Sequence, residues 1–362
     1  MPLPFIIAGA AIAATAVGAK KTYDGYQDKN RADDILEESK GLYRNRKELF
    51  DKINDHTSMT LESLGELELR IGSDFERFDR LVEEILKNNN FQKYGDIKIV
   101  LPKHKLNKIK EVAISATDYL KTVVGGGVSG AAAGFAVYSG VMALGAASTG
   151  TPIAALSGVA AYNATMAAIG GGSLAAGGWG MAGGAMVLGG AVVAPVLAVA
   201  GIAYALHGSK ALKNAQEVKQ QVADAITKMD QAKEQLLKVD QYAKNIMTEL
   251  EKVYVVFNEY FDLLKDINEI IKQGDMEKIK TISSTANLYI QNGVALAAIM
   301  AKLISTPLFK VKRDFEGEII LGSDNNPQIQ TDENGMQILD KARLDRALET
   351  ASEDFDLFKN PR

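Results

Sequence analysis

Residues 211–271 read ALKNAQEVKQQVADAITKMDQAKEQLLKVDQYAKNIMTELEKVYVVFNEYFDLLKDINEII, and this stretch decides the fold. Ala211, Ala215, Val218, Val222, Ala225, Met229, Ala232, Leu236, Val239, Ala243, Ile246, Leu250, Val253, Phe257, Tyr260, Leu264, Ile267 and Ile271 alternate steps of four and three without a slip. Side chains at that period share one face of a helix. At 1.5 Å per residue the helix is roughly 90 Å long. Such a seam needs a partner to cover it. Gln273-Gly274-Asp275 stops the pattern, and a further helix is expected from Met276 to Ser305, before Pro307.

The partner is expected upstream, between Thr22 and Asn88. There Leu61, Leu64, Leu67, Ile71, Phe75, Phe78, Val82 and Ile85 also recur at steps of three and four. Gly41, Gly65 and Gly72 weaken that helix by up to about 1 kcal/mol each without ending it. Asn88-Asn89-Asn90 and Tyr94-Gly95-Asp96 break the chain, and Pro102 opens a short basic helix over Lys103–Lys121. The expected fold class is all-α: an elongated helical bundle or coiled coil pairing Thr22–Asn88 with Ala211–Ile271.

Between the two long helices the composition changes. From Lys121 to Lys210 there are 88 consecutive residues without Asp, Glu, Lys or Arg, and they hold 21 of the chain's 33 glycines with 24 alanines. This exceeds one crossing of about 20 residues and offers two to four. Breakers at Gly145–Pro152, Gly170–Gly172, Gly177–Gly184 and Pro195 leave apolar helices at about Val123–Ala147, Pro152–Ile169 and Ala185–Leu206. Gly126, Gly130 and Gly134, then Gly172, Gly180 and Gly184, fall at multiples of four and predict close helix contacts. The block's 21 Val, Ile, Leu and Phe residues contribute favourably to insertion. At about −0.3 to −0.6 kcal/mol each they total roughly −6 to −13 kcal/mol, from which glycine and the polar residues subtract. Insertion is marginal, which suits a protein that covers the block and then exposes it. A tightly packed soluble hairpin under the long helices is the alternative.

The flanks suggest orientation. Lys105, Lys108 and Lys121 precede the block, and Lys210 and Lys213 follow it. Basic residues on both sides favour one membrane face for both ends, hence an even number of crossings. The first 21 residues, MPLPFIIAGAAIAATAVGAKK, form an apolar run closed by Lys20 and Lys21, which would join the same anionic surface. No basic n-region precedes that run, so a membrane-seeking helix, or a buried strand or helix, is expected rather than a secretory signal.

The last segment, residues 308–362, carries twelve acids and eight bases. It reads as a loosely attached acidic appendage, with short strands at Glu318–Leu321 and Pro327–Thr331, an Asn334-Gly335 turn and a helix near Asp340–Thr350. The chain therefore divides into an apolar segment (1–21), a charged long-helix region (22–121), the uncharged block (122–209), the seam helix with its successor (210–307) and the appendage (308–362).

The inventory of reactive groups is thin. With no cysteine, a disulfide framework and thiolate chemistry are excluded. His56, His104 and His207 lack metal-ligand spacing and read as helix-surface residues. Gly125-x-Gly127-x-x-Gly130 and Gly178-x-Gly180-x-x-Gly183 mimic a dinucleotide fingerprint, yet no acid follows before Asp224 to hold a ribose. The Asp332–Gly335 loop starts like a calcium loop but has Lys341 where the bidentate Glu belongs. Net charge is −4, which gives no footprint for nucleic acid. Neither an enzyme, a cofactor, a metal nor a small-molecule substrate is expected.

The order long helix, apolar hairpin, long helix over residues 20–305 resembles the alpha-helical pore-forming toxins of the cytolysin A and haemolysin BL type. That resemblance implies a helical bundle that hides a hydrophobic tongue and inserts it on oligomerisation. The run Ile169-GGGSLAAGGWGMAGG-Ala185 also resembles glycine-rich stretches of bacterial proteins of unassigned function. The expectation is a membrane-inserting, pore-forming or membrane-perturbing effector. It would be membrane-associated or soluble until triggered, its partners being a lipid bilayer and a second copy or related helical protein. A secretion-type translocator, a structural membrane scaffold and a soluble bundle are the other readings.

Overall fold

The computed structural model describes residues 19–92, 103–122, 132–137, 211–320, 328–332 and 337–360. Among them the fold is all-α: α1 (Ala19–Lys87), α2 (Asn89–Gln92), α3 (Lys103–Thr122), α4 (Ala211–Gln273), α5 (Met276–Ile304) and α6 (Lys341–Lys359). Residues 132–137 are helical as well. The chain forms two compact units, residues 1–47 with 196–227 and residues 48–195 with 228–362. Both long helices contribute to both units, so the boundaries cut across the composition regions instead of following them.

In the first unit Ala32 and Leu36 of α1 bury against Ala215 of α4, with Ile35 and Val218 packed beside them. Lys219 reaches Glu38 at 3.3 Å. In the second unit the α1 face from Leu61 to Ile85 meets the α4 seam. Phe257 sits among Phe75, Phe78 and Phe261, with ring centroids 5.8, 5.2 and 5.9 Å away. From Ala215 to Ile271 every seam position is buried except Val218 and Tyr260. Tyr260 turns outward to Tyr289 of α5 and Phe358 of α6, while Phe261, outside the heptad count, is only 4% exposed. A helix covered on two sides buries a wider stripe than a two-helix seam requires.

The α1–α4 pair is parallel. Thr60 bonds Asp240 and Asp74 bonds Tyr254, each 180 residues apart, and Glu84 bonds Asn268, 184 apart. A near-constant offset means that both chains run the same way. The connection must therefore travel back along α1. It does so through α3, where Thr117 donates to Glu76, and through residues 132–137, where Glu62 accepts from Ala133. After Gly274, whose φ of 76° suits a residue without Cβ, the Asp275 carboxylate caps α5 by accepting from the Lys278 N–H at 3.2 Å. The chain then returns antiparallel along α4.

The final segment corrects the expectation of a loose appendage. Leu308, Phe309, Val311, Leu339, Leu344, Ala347, Ala351 and Phe355 all belong to the same buried core as Phe75 and Phe257. The backbone closes two three-membered hydrogen-bond rings. In one, Lys310 donates to Ile338, Ile338 to Gln330 and Gln330 to Lys310, at 2.8–2.9 Å. In the other, Lys312 donates to Gln328, Gln328 to Ile320 and Ile320 to Lys312, at 2.7–3.0 Å. Closure on itself leaves these rungs without an open sheet edge. Residues 309–313, where no strand was expected, join these bridges, and α6 runs on to Lys359, past Thr350. Acidic composition describes the outer face of this segment; its inner face is core.

Candidate functional site

The described structure places residues 132–137 of the uncharged block in a notch on α1. Gly65 and Gly72 lie one heptad apart, so they share a helix face. A Cβ on Gly65 would overlap the Ala132 carbonyl, and one on Gly72 would overlap the Ala116 Cβ and approach the Val112 carbonyl at 3.1 Å. These glycines, expected only to weaken α1, are where backbones approach. One turn before Gly65, the Glu62 carboxylate accepts from the Ala133 N–H at 2.9 Å. Ala132, Ala133, Phe135, Ala136 and Val137 are buried, as is Gly134, and the Phe135 ring lies 5.2 Å from Tyr119 of α3. Gly293 of α5 plays the same part for Phe78, whose ring would come within 2.6 Å of an added Cβ.

Beside the apolar seam runs a line of polar contacts. Asp240 is 8% exposed and takes hydrogen bonds from Thr60 at 2.6 Å and Lys244 at 2.8 Å. Burial works against its ionisation. The hydrogen bonds from Lys244 and Thr60, with the charges of Lys244 and His56, outweigh that and hold its pKa below the usual value. His56 sits 3.6 Å from Asp240 and 3.0 Å from the Lys244 amine, so it joins this cluster on its exposed side. Two heptads on, Tyr254 donates to Asp74, which also pairs with Arg77 at 2.5 Å. Burial, then the hydrogen bond and charge of Asp74, push the Tyr254 phenol up to about 12. A further two heptads along α4, Asn268 donates to Glu84 at 3.1 Å, and Lys272 joins at 3.2 Å. Buried polar pairs of this kind fix register, since a slipped helix would leave them unpartnered.

The expected surface lysines divide between the two units. Lys20 and Lys21 lie in the first turn of α1, and Lys213, exposed, lies in the first turn of α4 with Glu217 at 3.9 Å. Lys105 and Lys108 are exposed on α3, and Lys121 is in its last turn. Although the Lys108 side chain reaches solvent, partial desolvation by the protein around it lowers its pKa; Glu111 opposes that, and Lys302 and Arg343 add to it. Of the glycines expected at close contacts, Gly134 is buried. Gly126, Gly130, Gly172, Gly180 and Gly184 lie outside the described residues, as does Lys210. So do most of the three apolar helices expected in the block.

Among the described residues no His, Asp and Glu cluster has metal-site geometry. A 760 Å³ groove between α4 and the C-terminal segment is lined by the carboxamides of Gln231, Gln235, Gln241, Asn245 and Gln337 together with charged residues of both signs. A 170 Å³ cavity between α1, α3 and α5 is mainly apolar. Among the described helices α5 alone is long and apolar enough to cross a membrane, and 61% of that window is buried in the core. No family model, curated protein or solved structure matches the chain. Its function must be argued from its own residues.

Proposed function

We propose that this is a membrane-inserting helical protein, a pore-forming or membrane-perturbing effector whose uncharged block enters a bilayer while the α1–α4 pair stays in water as the assembling stalk. The observation that carries the reading is the 88-residue run without a charge between Lys121 and Lys210. A buried core rarely needs so long a run with so little bulk, because glycine and alanine fill volume poorly. Lysines at both ends support a common membrane face.

Liposome flotation combined with dye release tests this. Flotation with release supports a pore or translocator, and flotation without release supports a structural scaffold. One observation favours the soluble-bundle reading instead: residues 132–137 of the block are packed in protein. Protease treatment after mixing with vesicles decides between them. If residues 123–206 are cleaved as readily with lipid as without, the membrane reading falls and the soluble bundle replaces it.

A further inference from the structure

We infer that residues 132–137 are an anchor, remaining docked on α1 when the rest of the block meets a bilayer, so that the membrane-entering stretch begins after Val137 and makes two crossings. This rests on the membrane reading above and narrows it. Three features hold the segment to protein. Gly65 has no side chain, and the Ala132 carbonyl occupies the space a Cβ would fill. Glu62, on the same face one turn earlier, accepts from the Ala133 N–H at 2.9 Å. Phe135 and Val137 are completely buried, Phe135 against the Tyr119 ring.

The alternative, carrying this segment into lipid, would break all three contacts. It would leave the Ala133 N–H without its carboxylate and open a slot beside Leu61 and Leu64, which are themselves 0–1% exposed. In exchange the bilayer would receive two bulky side chains among four small residues. Glu62 cannot follow, because a carboxylate is costly in the hydrocarbon region. The neighbouring Gly72 seats Ala116 of α3 by the same device, so the strand of chain leading into the block is held at two points a heptad apart.

The sequence beyond Val137 matches what remains. Of the three apolar stretches, Val123–Ala147 contains the anchor, leaving Pro152–Ile169 and Ala185–Leu206. Each is near the length of about 20 residues that one crossing needs. Two crossings return the chain to the side it left, which lysines on both flanks favour.

Because the chain has no cysteine, the anchor can be locked selectively. Glu62→Cys with Ala133→Cys, joined by a short thiol-cleavable linker, ties residue 133 to α1. A second pair, Tyr119→Cys with Phe135→Cys, ties the same segment to α3 if the first does not fold. Vesicles of phosphatidylcholine and phosphatidylglycerol are mixed with locked protein and with the same protein after reduction. The expected result is equal protease protection of residues 138–206 in both. Protection that appears only after reduction overturns the anchor and spares the membrane reading. Protection in neither, with unlocked native protein also unprotected, overturns both.

Discussion

Glycines that look alike along α1 do opposite work. A Cβ at Gly41 would meet nothing within 4 Å, whereas one at Gly65 would collide with backbone. Gly41→Ala is therefore expected to stabilise the protein by up to about 1 kcal/mol. Gly65→Ala should destabilise it by about 1–3 kcal/mol, as overpacking does. Denaturant melts of the two variants should shift in opposite directions, and two shifts of the same sign would refute the notch. The Tyr254–Asp74 contact carries a pH signature. Burial and the Asp74 carboxylate push its phenol up to about 12 in the folded chain, above the ordinary value of 10.0. A raised pKa means the contribution is complete below pH 10 and is lost as pH climbs towards 12. Tyr254→Phe should lower stability at neutral pH and flatten that alkaline decline, measured by melts across pH 8–12 beside the parent protein.

Along α4 burial separates two kinds of position. Phe257 is completely buried against the rings of Phe75, Phe78, Tyr254 and Phe261, and Val255, two residues earlier, is 60% exposed. Phe257→Ala should cost about 3–5 kcal/mol. Val255→Ala should stay within about 0.5 kcal/mol. Comparable losses at both would mean that the Val255 face is covered by a partner in solution. On the proposed membrane reading, the relevant solvent for the block is lipid. Ala161→Asp should cost about 2.5–3.5 kcal/mol on insertion scales, comparable to the margin of a whole crossing. That variant is expected to keep the melting behaviour of the parent while losing vesicle binding or dye release. Retained membrane activity would argue that Ala161 never reaches hydrocarbon.

For the molecule as a whole, the C-terminal segment tests how the core is shared. Removing residues 308–362 would uncover α5 and Tyr260, which α6 and the backbone rings cover. A truncated chain should aggregate or melt well below the full one, as seen by light scattering and thermal melts. A truncation as stable as the parent would restore the loose appendage. The lysines expected at a membrane surface illustrate the same point. Lys105 and Lys108 belong to one compact unit, and Lys20, Lys21 and Lys213 to the other. Their shared sign is visible in the chain; a shared surface is not.

The sequence by itself determined what depends on near neighbours along a helix. Heptad spacing identified α4 and the face of α1 from Leu61 to Ile85, because side chains three and four residues apart must share a face whatever lies opposite. Gly274 and Asp275 marked the α4–α5 break by local backbone chemistry. Tertiary structure decided whatever depends on residues far apart. A seam is equally apolar for a parallel or an antiparallel partner, so it is cross-helix pairs such as Thr60 on Asp240, Asp74 on Tyr254 and Glu84 on Asn268 that disclose the direction. Gly65 carries no mark of what it admits, since a missing side chain acquires meaning only from the Ala132 carbonyl that fills its place. The acidic tail concealed a core face for the same reason: charge is counted per residue, but burial is set by what packs against each side.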